Sequence, residues 1–171
     1  TFKKAEAILK VAQERILETE QMIEAQKRKI KIKEKALKKA LLDKKLKEAI
    51  VNAKKADVIA KKAVLKQAEI ELKRAESLLK EGVIPKDRYD KIKTSYETAK
   101  SAFIIAKELK KQAEINLQSH FNIIEQTKIS LKAEKFLLKH LEATLKRNKQ
   151  EVKRREAEAK LAYLKLSYTK I

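Results

Sequence analysis

Residues 78–90 read Leu-Leu-Lys-Glu-Gly-Val-Ile-Pro-Lys-Asp-Arg-Tyr-Asp, and they hold the chain's one glycine, Gly82, and its one proline, Pro85. Turns need residues that tolerate special dihedrals, above all Gly and Pro. In 171 residues both occur together here, near the middle, so the sequence specifies one clear reversal of direction. Gly82 suits the left-handed position that follows a helix C-terminus, and Val83 can cover the last turn near Leu79. Pro85 suits the start of a new helix, where no backbone donor is needed. Asp87 and Asp90 then bring negative charge to the first turns, where the helix dipole favours it.

Outward from this turn the sequence counts in sevens. Before it stand Leu9, Ile16, Ile23, Ile30, Leu37, Lys44, Val51, Val58, Leu65, Leu72 and Leu79. After it come Tyr89, Tyr96, Phe103, Lys110, Leu117, Ile124, Leu131, Leu138, Leu145, Val152, Ala159 and Leu166. One lysine interrupts each column. A heptad held this long argues for a coiled coil on both sides of the turn. The expected fold is therefore all-α: a single long antiparallel two-helix coiled-coil hairpin over 1–171. Helix 1 is expected at about 2–81, the turn at 82–85 and helix 2 at about 86–166. Each helix would run roughly 120 Å at 1.5 Å per residue. Residues 167–171 lie in a stretch of alternating β-formers and are expected to leave the helix as an extended end.

Companion columns, three residues on, are smaller or polar: Ala5, Ala12, Thr19, Gln26, Lys33 and Ala40 in the first half, Ala99, Ala106, Ala113, His120 and Thr127 in the second. Folding the chain so that facing numbers add to 171 sets Ala75 against Tyr96, Ala68 against Phe103 and Ala40 against Leu131. It also sets Leu72 against Ala99 and Leu65 against Ala106. Large then meets small, as interdigitation requires. The same register brings Lys61 opposite Lys110, which is unfavourable unless both stems snorkel outward.

Composition narrows function. The chain is 43% hydrophobic and 40% charged, with a net charge of +20 from 44 basic and 24 acidic residues. Such an excess attracts polyanions or an acidic partner, or is a solvated helix face. Its densest block is Lys27–Lys47, interrupted only by Glu34 and Asp43. No cysteine is present, which excludes a disulfide framework and a thiolate metal site. His120 and His140 are about 30 Å apart on one helix, so they cannot share a metal within one chain. His120 falls in the seam column and is assigned a packing role. There is no Gly-rich phosphate loop and no metal-protease or calcium-loop pattern. No catalytic, cofactor-binding or metal residue is assigned, and no cofactor is expected. The chain does not read as an enzyme, because a two-helix rod lacks the enclosed pocket that acid–base chemistry needs.

The stretch Glu71–Lys91, with Arg74, Leu78 and the turn, resembles the hairpin tip of periplasmic adaptor proteins, the membrane fusion proteins of the HlyD family. Members carry an Arg, a Leu four residues later and a Ser seven beyond that. Arg74 and Leu78 match, Pro85 stands where the Ser would be, and Lys86–Asp90 resumes the pattern. The ending Ala162–Ile171 resembles the family's return from hairpin to lipoyl domain. The hairpin's length suits the EmrA-like branch.

That resemblance implies a periplasmic protein, anchored to the inner membrane at full length, whose flanking lipoyl and β-barrel domains are absent from this chain. It implies that the hairpin links an inner-membrane transporter to a TolC-like outer-membrane channel for multidrug efflux or secretion. The tip would meet the channel through Arg74, Leu78, Gly82, Val83, Ile84 and Pro85. The transporter would be reached through the missing domains, and the full protein would self-associate into a trimer or hexamer. This chain alone is expected to be monomeric or weakly associating. Two other readings use the same residues. One is a structural coiled-coil spacer with an inert tip. The other is a basic coiled-coil arm binding nucleic acid through Lys27–Lys47 and Lys146–Arg155. Its cations are spread over both helices without aromatic stacking platforms, so nucleic acid is not the expected partner.

Overall fold

The computed structural model describes residues 2–168. It has two elements, α1 (Phe2–Lys80) and α2 (Lys86–Tyr168), packed against each other as an all-α helical hairpin. Nothing in either stretch interrupts a helix, since the only Gly and Pro lie between them. At the end of helix 1 the Glu81 N–H still bonds Ser77 O at 3.0 Å, closing the last α-turn. Helix 2 runs further than expected. Ser167 and Tyr168 are helical, and the Ser167 hydroxyl donates back to Leu164 O at 2.7 Å. A few tenths of a kcal/mol of β preference per residue does not break a helix already propagating. Residues 169–171, the rest of the expected extended end, lie outside the described residues.

The chain forms two compact units. The first pairs α1 up to Lys38 with α2 from Glu125 onward. Its seam buries Ala12, Ile23, Ile30, Leu131, Val152 and Ala159. It also carries successive polar layers. Asn148 Nδ2 donates to the Thr19 hydroxyl at 3.0 Å, and that hydroxyl donates to Arg15 O. Gln26, only 3% exposed, donates through Nε2 to the backbone oxygen of Glu134 (3.0 Å) and to its carboxylate (2.6 Å). Lys33 Nζ donates to Ser130 Oγ at 2.9 Å. Two ion pairs flank these layers, Glu34–Lys135 at 2.7 Å and Glu20–Lys149 at 3.0 Å.

The second unit, Lys39–Ile124, contains the turn. Its seam buries Ala40, Val51, Ala75, Ala99, Ala106 and Ile124, with His120 as the buried polar residue. The His120 ring donates from Nε2 to Ala40 O at 2.8 Å, so it fills a seam position as expected. Beside it, Lys44 Nζ lies 4.7 Å from the centre of the Phe121 ring and 3.4 Å from Glu48. The lysine that breaks the first column is thus held by an aromatic face and a carboxylate rather than by another apolar side chain.

Both units correct the expected register. Under it, Ala40 would face Leu131, eleven residues beyond its actual partner His120 and about 16 Å along the helix. Across the seam, partners have numbers adding to between 160 and 169. The turn explains the shift. With α1 ending at Lys80 and α2 starting at Lys86, the reversal centres on Val83, so facing residues near it add to about 166. Heptad columns repeat only every seven residues, and the nearest alignment they allow is 164, one heptad short of 171. In that alignment Ala75 lies level with Tyr89, Ala68 with Tyr96 and Leu65 with Ala99. Large still meets small. The feared Lys61–Lys110 layer is absent: Lys61 is exposed and Lys110 pairs with Glu114 of its own helix at 3.3 Å.

Candidate functional site: the hairpin tip

At the end of α1, Gly82 has φ +72°, the left-handed conformation. Its N–H bonds Leu79 O at 3.1 Å, and the next N–H, from Val83, reaches back to Leu78 O at 2.9 Å. These two bonds make a Schellman motif, which satisfies two carbonyls that a helix end otherwise leaves to water. A Cβ built on Gly82 would meet no atom within 4 Å, so the glycine serves backbone conformation and not close packing. On the far side, Pro85 O accepts from the N–H groups of Arg88 (3.1 Å) and Tyr89 (3.3 Å), so Pro85 opens α2 from the cap position. Asp87 supplies the acid of the first turn.

This backbone sets what the tip presents. Val83 does not cover the helix end as expected: it is 63% exposed, its N–H turned inward and its side chain outward. Arg74, Gly82 and Pro85 are exposed, while Leu78 and Ile84 are partly exposed. Under them Ala75 is 2% exposed and anchors the last layer of the seam. The six residues picked out in the sequence therefore share one end of the second unit, presenting an apolar cap with one guanidinium. Pro85 has neither hydroxyl nor N–H, so its only polar atom is the carbonyl already used by α2.

Elsewhere the expected chemistry is sparse. Among the described residues no three His, Cys, Asp or Glu gather as metal ligands. No described helix is long and apolar enough to cross a membrane. The basic block is partly absorbed internally: Lys27 pairs with Glu24, Lys33 with Ser130 and Lys44 with Glu48. Near the other end, Glu151 meets Arg154 (2.8 Å) and Arg155 (2.7 Å), and Arg155 also meets Glu158 (2.8 Å). Partial desolvation pulls the Glu151 carboxyl upward, but the hydrogen bonds and charges of the two arginines together hold it below its ordinary value.

Two antiparallel helices, a register-setting seam and a tightly capped tip define the class: an all-α helical hairpin. Among solved structures it is similar to that of the periplasmic adaptor protein EmrA, with a TM-score of 0.67 and 20% sequence identity. The match covers 94% of this chain and 51% of that one, so this chain spans about half the length of the structure it matches. At that identity the likeness is one of fold. No protein-family model matches the sequence, and no curated protein matches it.

Proposed function

We propose that this chain is the α-hairpin of a periplasmic adaptor of the membrane fusion type, a non-enzymatic part that joins two membrane components of an efflux or secretion pump. One observation carries the reading: a hairpin similar in fold to a periplasmic adaptor ends in a Schellman-capped tip that offers Arg74, Leu78 and Val83 outward. In this reading the tip docks on a TolC-like outer-membrane channel. The full-length protein, anchored to the inner membrane, meets its transporter through domains beyond this hairpin and assembles as a trimer or hexamer. Arg74 supplies a directional donor to a carboxylate or carbonyl of the channel, and Leu78 and Val83 supply apolar area. Pro85 takes the place of a side-chain donor, so the contact rests on fewer hydrogen bonds than a serine there would allow.

The test is export by the full-length protein carrying Arg74→Asp or Leu78→Ser. Both positions lie outside the buried seam, so helicity and expression stay unchanged while export is lost. Normal export by both variants overturns the docking tip and leaves the spacer reading in its place.

A further inference from the structure

Within the first unit, α2 keeps its acids on the side turned to α1. From Gln126 to Leu164 they are Glu134, Glu142, Glu151, Glu156 and Glu158, each in a seam column or in one beside it. The outward columns of the same stretch hold no Asp or Glu. One of them is a line of lysines, Lys132, Lys139, Lys146, Lys153 and Lys160, one heptad apart and all exposed. Among the described residues none of these lysines stands in an ion pair, whereas Lys128, Lys135, Lys149 and Arg155 all do. Helix α1 is built differently: its outward columns in this unit mix Glu14, Glu18 and Glu24 with Arg28, Lys31 and Lys35. A mixed face is enough for solubility, so solvation does not account for the single sign on α2. At one end of the line, Lys128, Leu131, Lys132, Lys135, Phe136 and Lys139 surround an open hollow of about 420 Å³. Leu131, 8% exposed, is its floor and the stems of the lysines are its walls. Phe136 stands at its side with 74% of its surface exposed.

We infer that the outward face of α2 in this unit binds a linear acidic glycan, a chain of carboxylated sugars lying along the lysines with one ring seated against Phe136. Charge selects a polyanion. The lysines do not converge on a point, as a site for a small anion would require. They run straight for about 42 Å in steps of about 10.5 Å, which suits an extended chain carrying charge at regular intervals. The residue type fits as well. Lysine is a hydrated point charge that accepts a carboxylate from many directions, whereas arginine suits fixed, bidentate recognition. The hollow then separates a glycan from a polynucleotide. Successive bases need a row of aromatic platforms, and this face offers one exposed ring, Phe136. The apolar face of a single sugar can lie on that ring and over Leu131, while its carboxylate reaches Lys132 or Lys139 at the rim.

Exposure sets the strength. Each lysine–carboxylate contact on such a ridge is weak and screened by salt, so affinity accumulates along the line and not at one residue. A glycan long enough to meet all the lysines is held, while a single acidic sugar is not. Binding weakens steadily as salt rises, because each neutralised charge releases counterions. The inference is independent of the tip. The ridge belongs to the first unit and the tip to the second, so export reads one and glycan binding reads the other.

The test is fluorescence anisotropy of labelled polygalacturonate, a linear chain of carboxylated sugars, titrated with the whole chain. The double variant Lys139→Glu with Lys146→Glu should weaken binding roughly ten-fold or more. The double variant Lys31→Glu with Lys35→Glu makes the same change of charge on exposed positions of α1 and should have a far smaller effect. Phe136→Ser should weaken binding of polygalacturonate but not of polyglutamate, which has carboxylates and no sugar rings. All these positions lie outside the buried seam, and circular dichroism checks that helicity is kept. Equal losses in the two double variants would reduce the effect to net charge and overturn the inference. So would single-stranded DNA binding more tightly than polygalacturonate, or Phe136→Ser acting equally on both polymers. A chain that does not bind polygalacturonate at low salt overturns it outright.

Discussion

Replacing Gly82 with alanine should destabilise the tip by about 1 kcal/mol, and the structure supplies each part of that figure. An L-residue forced into the left-handed region costs roughly 1–2 kcal/mol relative to its preferred conformations. Gly82 stands at φ +72°, so the full conformational cost applies. No steric contribution is added, because the new Cβ meets nothing within 4 Å. Alanine also loses less freedom on folding than glycine, which returns about 0.4–1 kcal/mol. Asparagine tolerates this region better, so Gly82→Asn should cost less than Gly82→Ala. A long hairpin can open locally, so the informative assay is amide hydrogen exchange at Gly82 and Val83, whose N–H groups bond Leu79 O and Leu78 O. In Gly82→Ala those two amides should exchange roughly five-fold faster, while Val51 and Ile124 keep their protection. Unchanged exchange would mean that the left-handed residue is not what holds the tip. Loss of several kcal/mol would point to a close contact that the open space around Gly82 excludes.

Ile124→Ala should cost about 2.5 kcal/mol in denaturant unfolding, since Ile124 is 3% exposed and three buried carbons are lost from a seam that can partly close. Ile115→Ala, at an exposed position, should change stability by less than about 0.5 kcal/mol. The register is tested by paired cysteines: Ala68→Cys with Tyr96→Cys should cross-link within one chain. Ala68→Cys with Phe103→Cys should not, because the second pair is displaced by about 10 Å along the helices. For pH, the Glu151 carboxyl is held low by Arg154 and Arg155, so its contribution is present above the ordinary glutamate range. It is lost only as pH falls through the lowered folded value. Carboxyl titration by NMR should therefore place Glu151 below the ordinary glutamate range, and Arg155→Gln should raise it.

The hairpin was legible because its signals agree across levels. Heptads define two helices, and Gly82 and Pro85 define a turn at the one point where both helices can stop. The pairing was not legible to within one heptad, because columns repeating every seven residues score a shift of seven as well as the true alignment. What resolves it is the five-residue gap between Lys80 and Lys86, together with single contacts such as His120 to Ala40 O, which composition does not reveal. At the tip, backbone geometry was readable from Gly82, but the outward turn of Val83 was not, since one extra bond to Leu78 O decides it.

The Schellman turn also has a bearing on how such a chain can change in length. Because the count of facing residues starts at Val83, an insertion of seven residues in α1 alone leaves every layer between it and the turn matched. It puts every layer beyond it seven residues out of step with α2. Thr19 would lose Asn148 and Gln26 would lose Glu134, even though each helix kept an unbroken heptad. Two insertions of seven, one in each helix at facing positions, restore all of them. Length in this chain is therefore quantised: it can grow or shrink in matched pairs of heptads, about 10 Å at a time, while single-helix changes are met by frayed polar layers far from where they occur.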